Sequence, residues 1–159
     1  MINVLDLQKT AGVSGDDTLD FVRLSVAMMR QDPDLVKEVT IEPLESNFVE
    51  YLMNKIMPRA CYHNVFEAIK YLYSCYDVKY VLGYWCHIIP VEHCFLKYDG
   101  KYYDPTALLF KDNSQVRYFS LFELNYAELV SAQHYMKKKS KINDHITMYE
   151  WIRFEKENS

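Results

Sequence analysis

Apolar residues recur at helical spacing through the first half of the chain and at strand spacing through its middle. Leu19, Val22, Val26 and Met29 mark one face of an amphipathic helix. Asp17 reads as its N-cap, with Asp20 near the first turn. Gln31-Asp32-Pro33-Asp34 ends that helix and opens a short one, capped by Asp32 with Pro33 at the first helical position. A further helix begins at Ser46, with Phe48, Val49, Leu52, Met53 and Ile56 as its buried stripe, and Pro58 stops it. A central helix follows, roughly Cys61 to Tyr76, in which Cys61, Val65, Ala68, Ile69 and Leu72 share one stripe. His63, Glu67 and Lys70 point away from that stripe. Residues 1–15 end in Ala-Gly-Val-Ser-Gly and read as a loop or a short leading strand.

The period then changes. Val78 to His87 is rich in β-branched and aromatic residues and predicts a strand, and 88–91 a connection with Pro90 at an edge or bend. Glu92 to Tyr98 and Lys101 to Asp104 flank Asp99-Gly100, the strongest two-residue hairpin signature. With that turn, Tyr98 faces Lys101, Leu96 faces Tyr103 and Phe95 faces Asp104. Side-chain alternation then puts His93, Phe95, Lys97, Tyr102 and Asp104 on one face, with His93 and Asp104 diagonal neighbours. A slip of one residue would separate them, so the inference rests on Asp-Gly being the turn. Beyond a polar loop through 111–114, Val116 to Phe119 predicts a strand. Ser120 with Glu123 reads as a capping box opening a helix to about Lys139. Residues 144–157 carry mixed signals and are read as helix.

Composition narrows the class. The 159 residues suffice for one domain with a full core. We divide them into an N-terminal helical part (1–45), a core that carries the candidate chemistry (46–119) and a C-terminal helical part (120–159). A net charge of −4 supplies no broad basic field, which argues against a nucleic-acid partner. The basic run Lys137-Lys138-Lys139 with Lys141 falls at a helix end, where cations complement the dipole. No apolar run approaches the roughly 20 residues that cross a bilayer, so no membrane partner is expected. The start of the chain lacks the basic and long apolar segments of a signal peptide, which points to the cytoplasm and to free thiols. The sequence says nothing firm about oligomeric state.

Three positions invite chemistry. Cys61 heads a helix, where unpaired backbone N–H groups favour a thiolate, and the hairpin downstream supplies His93 and Asp104. A sulfur, a base and a group that orients the base are the parts of a thiol nucleophile. Asn64, three residues on, either donates to an oxyanion or caps local backbone. Glu92 should face away from His93 as a solvated charge or ion pair. The remaining cysteines, Cys75, Cys86 and Cys94, read as structural. The pairs Cys86-His87 and His93-Cys94 suggest a metal, but adjacent strand residues point to opposite faces and converge poorly. No metal or cofactor is assigned. His63, His134 and His145 read as surface or core residues.

The run Met-Pro-Arg-Ala-Cys61-Tyr-His-Asn64, then Tyr80 to Tyr84, Pro90 to His93 and Asp104-Pro-Thr106 resembles the papain-like, transglutaminase-like superfamily. The resemblance extends to small proteins of that type in tailed bacteriophages and covers about a third of the chain. It implies an α+β fold with the Cys61 helix packed on an antiparallel sheet, with extra N-terminal helices. It also implies thiol acyl chemistry, with Cys61 as nucleophile, His93 as base and Asp104 orienting it. The substrate would be protein or peptide-like, a host protein among the candidates, met in the host cytoplasm if a phage encodes the chain. Papain-type peptidases place a glutamine shortly before the cysteine as oxyanion donor. Here Asn54 is the residue available, in a different helix and beyond the Pro58 bend. The alternative is a non-enzymatic interaction protein that binds a host protein.

Overall fold

The computed structural model describes residues 15–74, 77–112 and 115–159. Among them the elements run α1 (Asp17–Met28), a 3-10 turn (Pro33–Leu35), β1 (Lys37–Val39), α2 (Ser46–Met53) and α3 (Cys61–Leu72). They continue with β2 (Lys79–Cys86), β3 (Pro90–Tyr98), β4 (Lys101–Tyr103), a second 3-10 turn (Pro105–Leu109), β5 (Arg117–Asn125), α4 (Tyr126–Lys138) and α5 (Met148–Glu157). The fold is α+β, built on an antiparallel five-stranded sheet in the order β1-β5-β2-β3-β4.

The sheet curls. Residues just beyond β1 reach round to β4, where Ile41 bridges Tyr102 and the Glu42 N–H donates to the Tyr102 carbonyl at 2.8 Å. One face carries Tyr80, Leu82, Tyr84, Cys94 and Leu96 into the main core with Val65, Ala68, Ile69 and Leu72 of α3. The other face wraps a small cluster of Val81, Phe95, Tyr102 and Tyr118. The alternation of buried residues on both faces explains why β2 and β3 read as nearly continuous apolar runs.

Two glycines are required by geometry. Gly100 follows Asp99 in the β3–β4 turn, and both have positive φ, 72° and 52°, as a two-residue turn of this hand demands. Gly83 lies where β5 shifts register against β2, and a Cβ there would stand 1.9 Å from the Phe119 carbonyl oxygen. No other residue allows β2 and β5 to approach so closely.

Several boundaries differ from the sequence reading. The helix expected from Ser120 begins at Tyr126, because Arg117–Asn125 pairs with both β1 and β2. Ser120 sits opposite Lys37 and Gly83, and Glu123 takes hydrogen bonds from Lys97 and Tyr102. The working capping box is Asn125 with Glu128, the same motif five residues later. Asp16, not Asp17, caps α1. Strand β1 had no sequence signal, its three residues Lys-Glu-Val being mostly polar and exposed. Met53 is half exposed, so the α2 stripe is Phe48, Leu52 and, beyond the helix, Ile56. Strand β3 starts at Pro90, two residues before the expected Glu92, and Pro90 begins the strand, where it costs little. Helix α3 ends at Leu72, short of Tyr76. The expectations for Cys75 and for residues 1–14 lie outside the described residues. The helix in 144–157 forms from Met148, with Thr147 and Glu150 as its capping box.

Candidate active site

Register puts His93 and Asp104 together. Leu96 faces Tyr103, Lys97 faces Tyr102 and Tyr98 faces Lys101, so His93 and Asp104 share the inner face of the hairpin. His93 Nε2 donates to Asp104 Oδ2 at 2.8 Å. The Asp104 side chain is fully buried and His93 is 9 % exposed. Asp104 also caps the second 3-10 turn, accepting from the Thr106 N–H on Oδ1 at 3.0 Å. A donor with no sequence signal completes it: the Tyr118 hydroxyl, from β5, bonds Oδ2 at 2.7 Å. Three donors therefore satisfy a carboxylate that water does not reach. Trp85 and Tyr118 tilt against the His93 ring at 6.4 and 6.0 Å between centroids, and Phe95 stacks on it at 6.3 Å.

Burial alone pushes the His93 imidazole down. The Asp104 charge and hydrogen bond, with Cys61 adding to them, outweigh burial and raise it to about 10. Cys61 therefore lies close enough to His93 to add to this rise. With Nε2 committed to Asp104, Nδ1 is the ring nitrogen left for the thiol. Cys61 is partly exposed and is the first residue of α3, following Ala60. Its backbone N–H is among those the helix cannot satisfy internally.

One buried amide ties the thiol's helix to the hairpin. Asn64, wholly buried, donates through Nδ2 to the Met57 carbonyl at 2.9 Å and to Thr106 Oγ1 at 3.0 Å. Its Oδ1 accepts from the Met57 N–H at 2.8 Å. Of the two roles open to Asn64, these bonds match the backbone clamp, since both amide hydrogens are engaged away from any oxyanion. The clamp shapes the bend before Cys61, in which Arg59 takes a φ of 57°. Asn54 sits at the exposed C-terminus of α2.

The other candidates fall elsewhere. Glu92 is exposed and opposite Tyr84, on the face away from His93. Cys86 and Cys94 are buried free thiols, and burial pushes both up. Among the described residues no group of three or more His, Cys, Asp or Glu side chains is placed to hold a metal ion. His63 Nε2 meets the Lys55 carbonyl at 2.9 Å, His145 stacks on Tyr62, and His134 is exposed. A cavity of about 530 Å³ lies behind the relay, lined by the 38–44 segment, Leu108, Val116 and Tyr118, and reaches Asp104 but neither Cys61 nor His93. No helix among the described residues is long and apolar enough to cross a membrane.

Comparison with known protein families, with curated proteins and with solved structures finds no match.

Proposed function

We propose that the protein is a cysteine-dependent hydrolase or acyltransferase of papain-like or transglutaminase-like type, acting on an amide or isopeptide bond through Cys61, His93 and Asp104. One observation carries the reading. A histidine held by a buried carboxylate lies near a partly exposed cysteine at the head of a helix. Hydrogen-bonded, desolvated groups of this kind concentrate at functional sites.

The chemistry follows from the parts. With its proton already held by His93 in a thiolate–imidazolium pair, Cys61 Sγ attacks the carbonyl carbon, placing negative charge on the carbonyl oxygen. The Cys61 backbone N–H, fixed at the start of α3, is the donor available to that oxygen. His93 then protonates the leaving amine, the C–N bond breaks, and a thioester remains on Cys61. Water or a second amine attacks the thioester while His93 accepts its proton, freeing the thiol and releasing an acid or a new amide. Asp104 keeps the imidazole oriented and stabilises its cation.

Iodoacetamide labelling with peptide mapping tests this without a substrate. Cys61 should react well ahead of the other three thiols at pH 7, and His93→Ala should slow it about 10²-fold. Slow labelling of Cys61 that His93→Ala leaves unchanged would sink the proposal.

A second reading is favoured by one surface. The β2–β3 turn exposes Ile88 at 83 % and Ile89 at 64 %, followed by Val91 at 48 %. An apolar tip of this kind suits a non-enzymatic protein that binds a partner, such as a host protein in the cytoplasm a phage has entered. Capture of a partner that survives Cys61→Ala and leaves that partner chemically unchanged would favour it.

A further inference from the structure

We propose that Tyr118 is a positioning residue of the relay: its hydroxyl shares Asp104 Oδ2 with His93 and limits how tightly Asp104 holds the imidazolium proton. The inference rests on the thiol reading above for its catalytic meaning, but the coupling it describes is a property of the buried triad itself. Asp104 Oδ2 receives Tyr118 at 2.7 Å and His93 at 2.8 Å, so the two donors share the charge of one oxygen. The other oxygen is fixed by the Thr106 N–H. With the carboxylate side chain fully buried, its charge is balanced by these donors rather than by bulk solvent.

The arrangement answers a chemical difficulty. A carboxylate buried with only an imidazole would hold the proton too firmly for the imidazole to pass it on. A hydroxyl on the same oxygen draws off part of the negative charge and weakens that grip. Tyr118 is suited to the task because burial, foremost, and then the Asp104 charge keep its own phenol protonated far above neutral pH. Its ring is also held, tilted against His93 and edge-on to Phe95 at 5.5 Å. The groups acting on His93 are thus Asp104 from the hairpin, Cys61 from α3 and, through Asp104, Tyr118 from β5. Tyr118 lies outside the stretch that resembles a known family.

The test is an NMR titration of the His93 ring nitrogens in the intact chain. Tyr118→Phe, which keeps the ring, should move the His93 midpoint up by about one unit. Tyr118→3-fluorotyrosine, a stronger donor of nearly the same size, should move it down. In an Asp104→Asn background, Tyr118→Phe should move it hardly at all, because the hydroxyl acts through the carboxylate. A space-filling tyrosine would leave the midpoint unmoved by both substitutions, and that result overturns the proposal. Should Tyr118→Phe not fold, the fluorotyrosine variant alone decides. If the predicted shifts occur while Cys61 proves no more reactive than an ordinary thiol, the thiol reading fails and the Tyr118 coupling stands.

Discussion

The two halves of the candidate site are built in opposite ways. His93 and Asp104 are eleven residues apart on one hairpin, and a two-residue turn sets their meeting. Cys61 comes to them across the fold, through packing of α3 on the sheet and the Asn64–Thr106 bond across 42 residues. A locally encoded pair tolerates change in the rest of the molecule. A pair joined across the fold, through packing of α3 on the sheet and one buried amide, tolerates it less. The difference predicts that the site fails first on the cysteine side.

The strongest way to break this contrast is Asn64→Ala. It strips partners from the Met57 N–H, the Met57 carbonyl and the Thr106 hydroxyl at a wholly buried position. Urea unfolding should show a loss of about 4 kcal/mol. Loss of less than about 1 kcal/mol would mean that the α3–hairpin seam is held by packing alone.

Next in size is Asp104→Asn, which leaves His93 facing a neutral partner and should cost about 3 kcal/mol near neutral pH. Its pH dependence is the sharper readout. His93 is raised in the folded state, so its pairing contributes fully below about pH 6.5 and is lost as pH climbs toward about 10. The parent should therefore lose stability across that alkaline window, and Asp104→Asn should flatten this slope. An identical slope in both proteins would place its origin in other groups.

The smallest effect belongs to the turn. Gly100→Ala adds a Cβ that meets nothing within 4 Å, so only the positive φ of 72° is penalised. About 1 kcal/mol should be lost, with the His93–Asp104 bond intact by NMR. A loss matching that of Asn64→Ala would show that the hairpin is no more self-sufficient than the seam.

The same contrast explains what the sequence reveals. The β3–β4 register is legible because Asp-Gly fixes it over the three residue pairs next to the turn, and the structure pairs Leu96 with Tyr103 as expected. The stripe Val65, Ala68, Ile69 and Leu72 is legible because helical spacing alone defines it. Ser120 to Asn125 misleads because a valid local cap signal loses to pairing with two strands distant in sequence. Tyr118 is invisible because only the curl of the sheet brings β5 to Asp104. Asn64 is visible as a polar residue near the thiol, but its role as a clamp depends on Thr106, which no spacing rule connects to it.

Closure of the sheet also bears on how the chain behaves among its own copies. Without β1, the four strands β5-β2-β3-β4 would present two rows of unpaired amide and carbonyl groups, each a template for a stray strand. Here residues 37–42 pair with β5 on one side and reach Tyr102 on the other, so one short segment occupies both rows. Proteolytic nicking or peeling of that segment would uncover two aggregation templates at once. The safeguard against intermolecular strand exchange is thus concentrated in six residues that take no part in the relay.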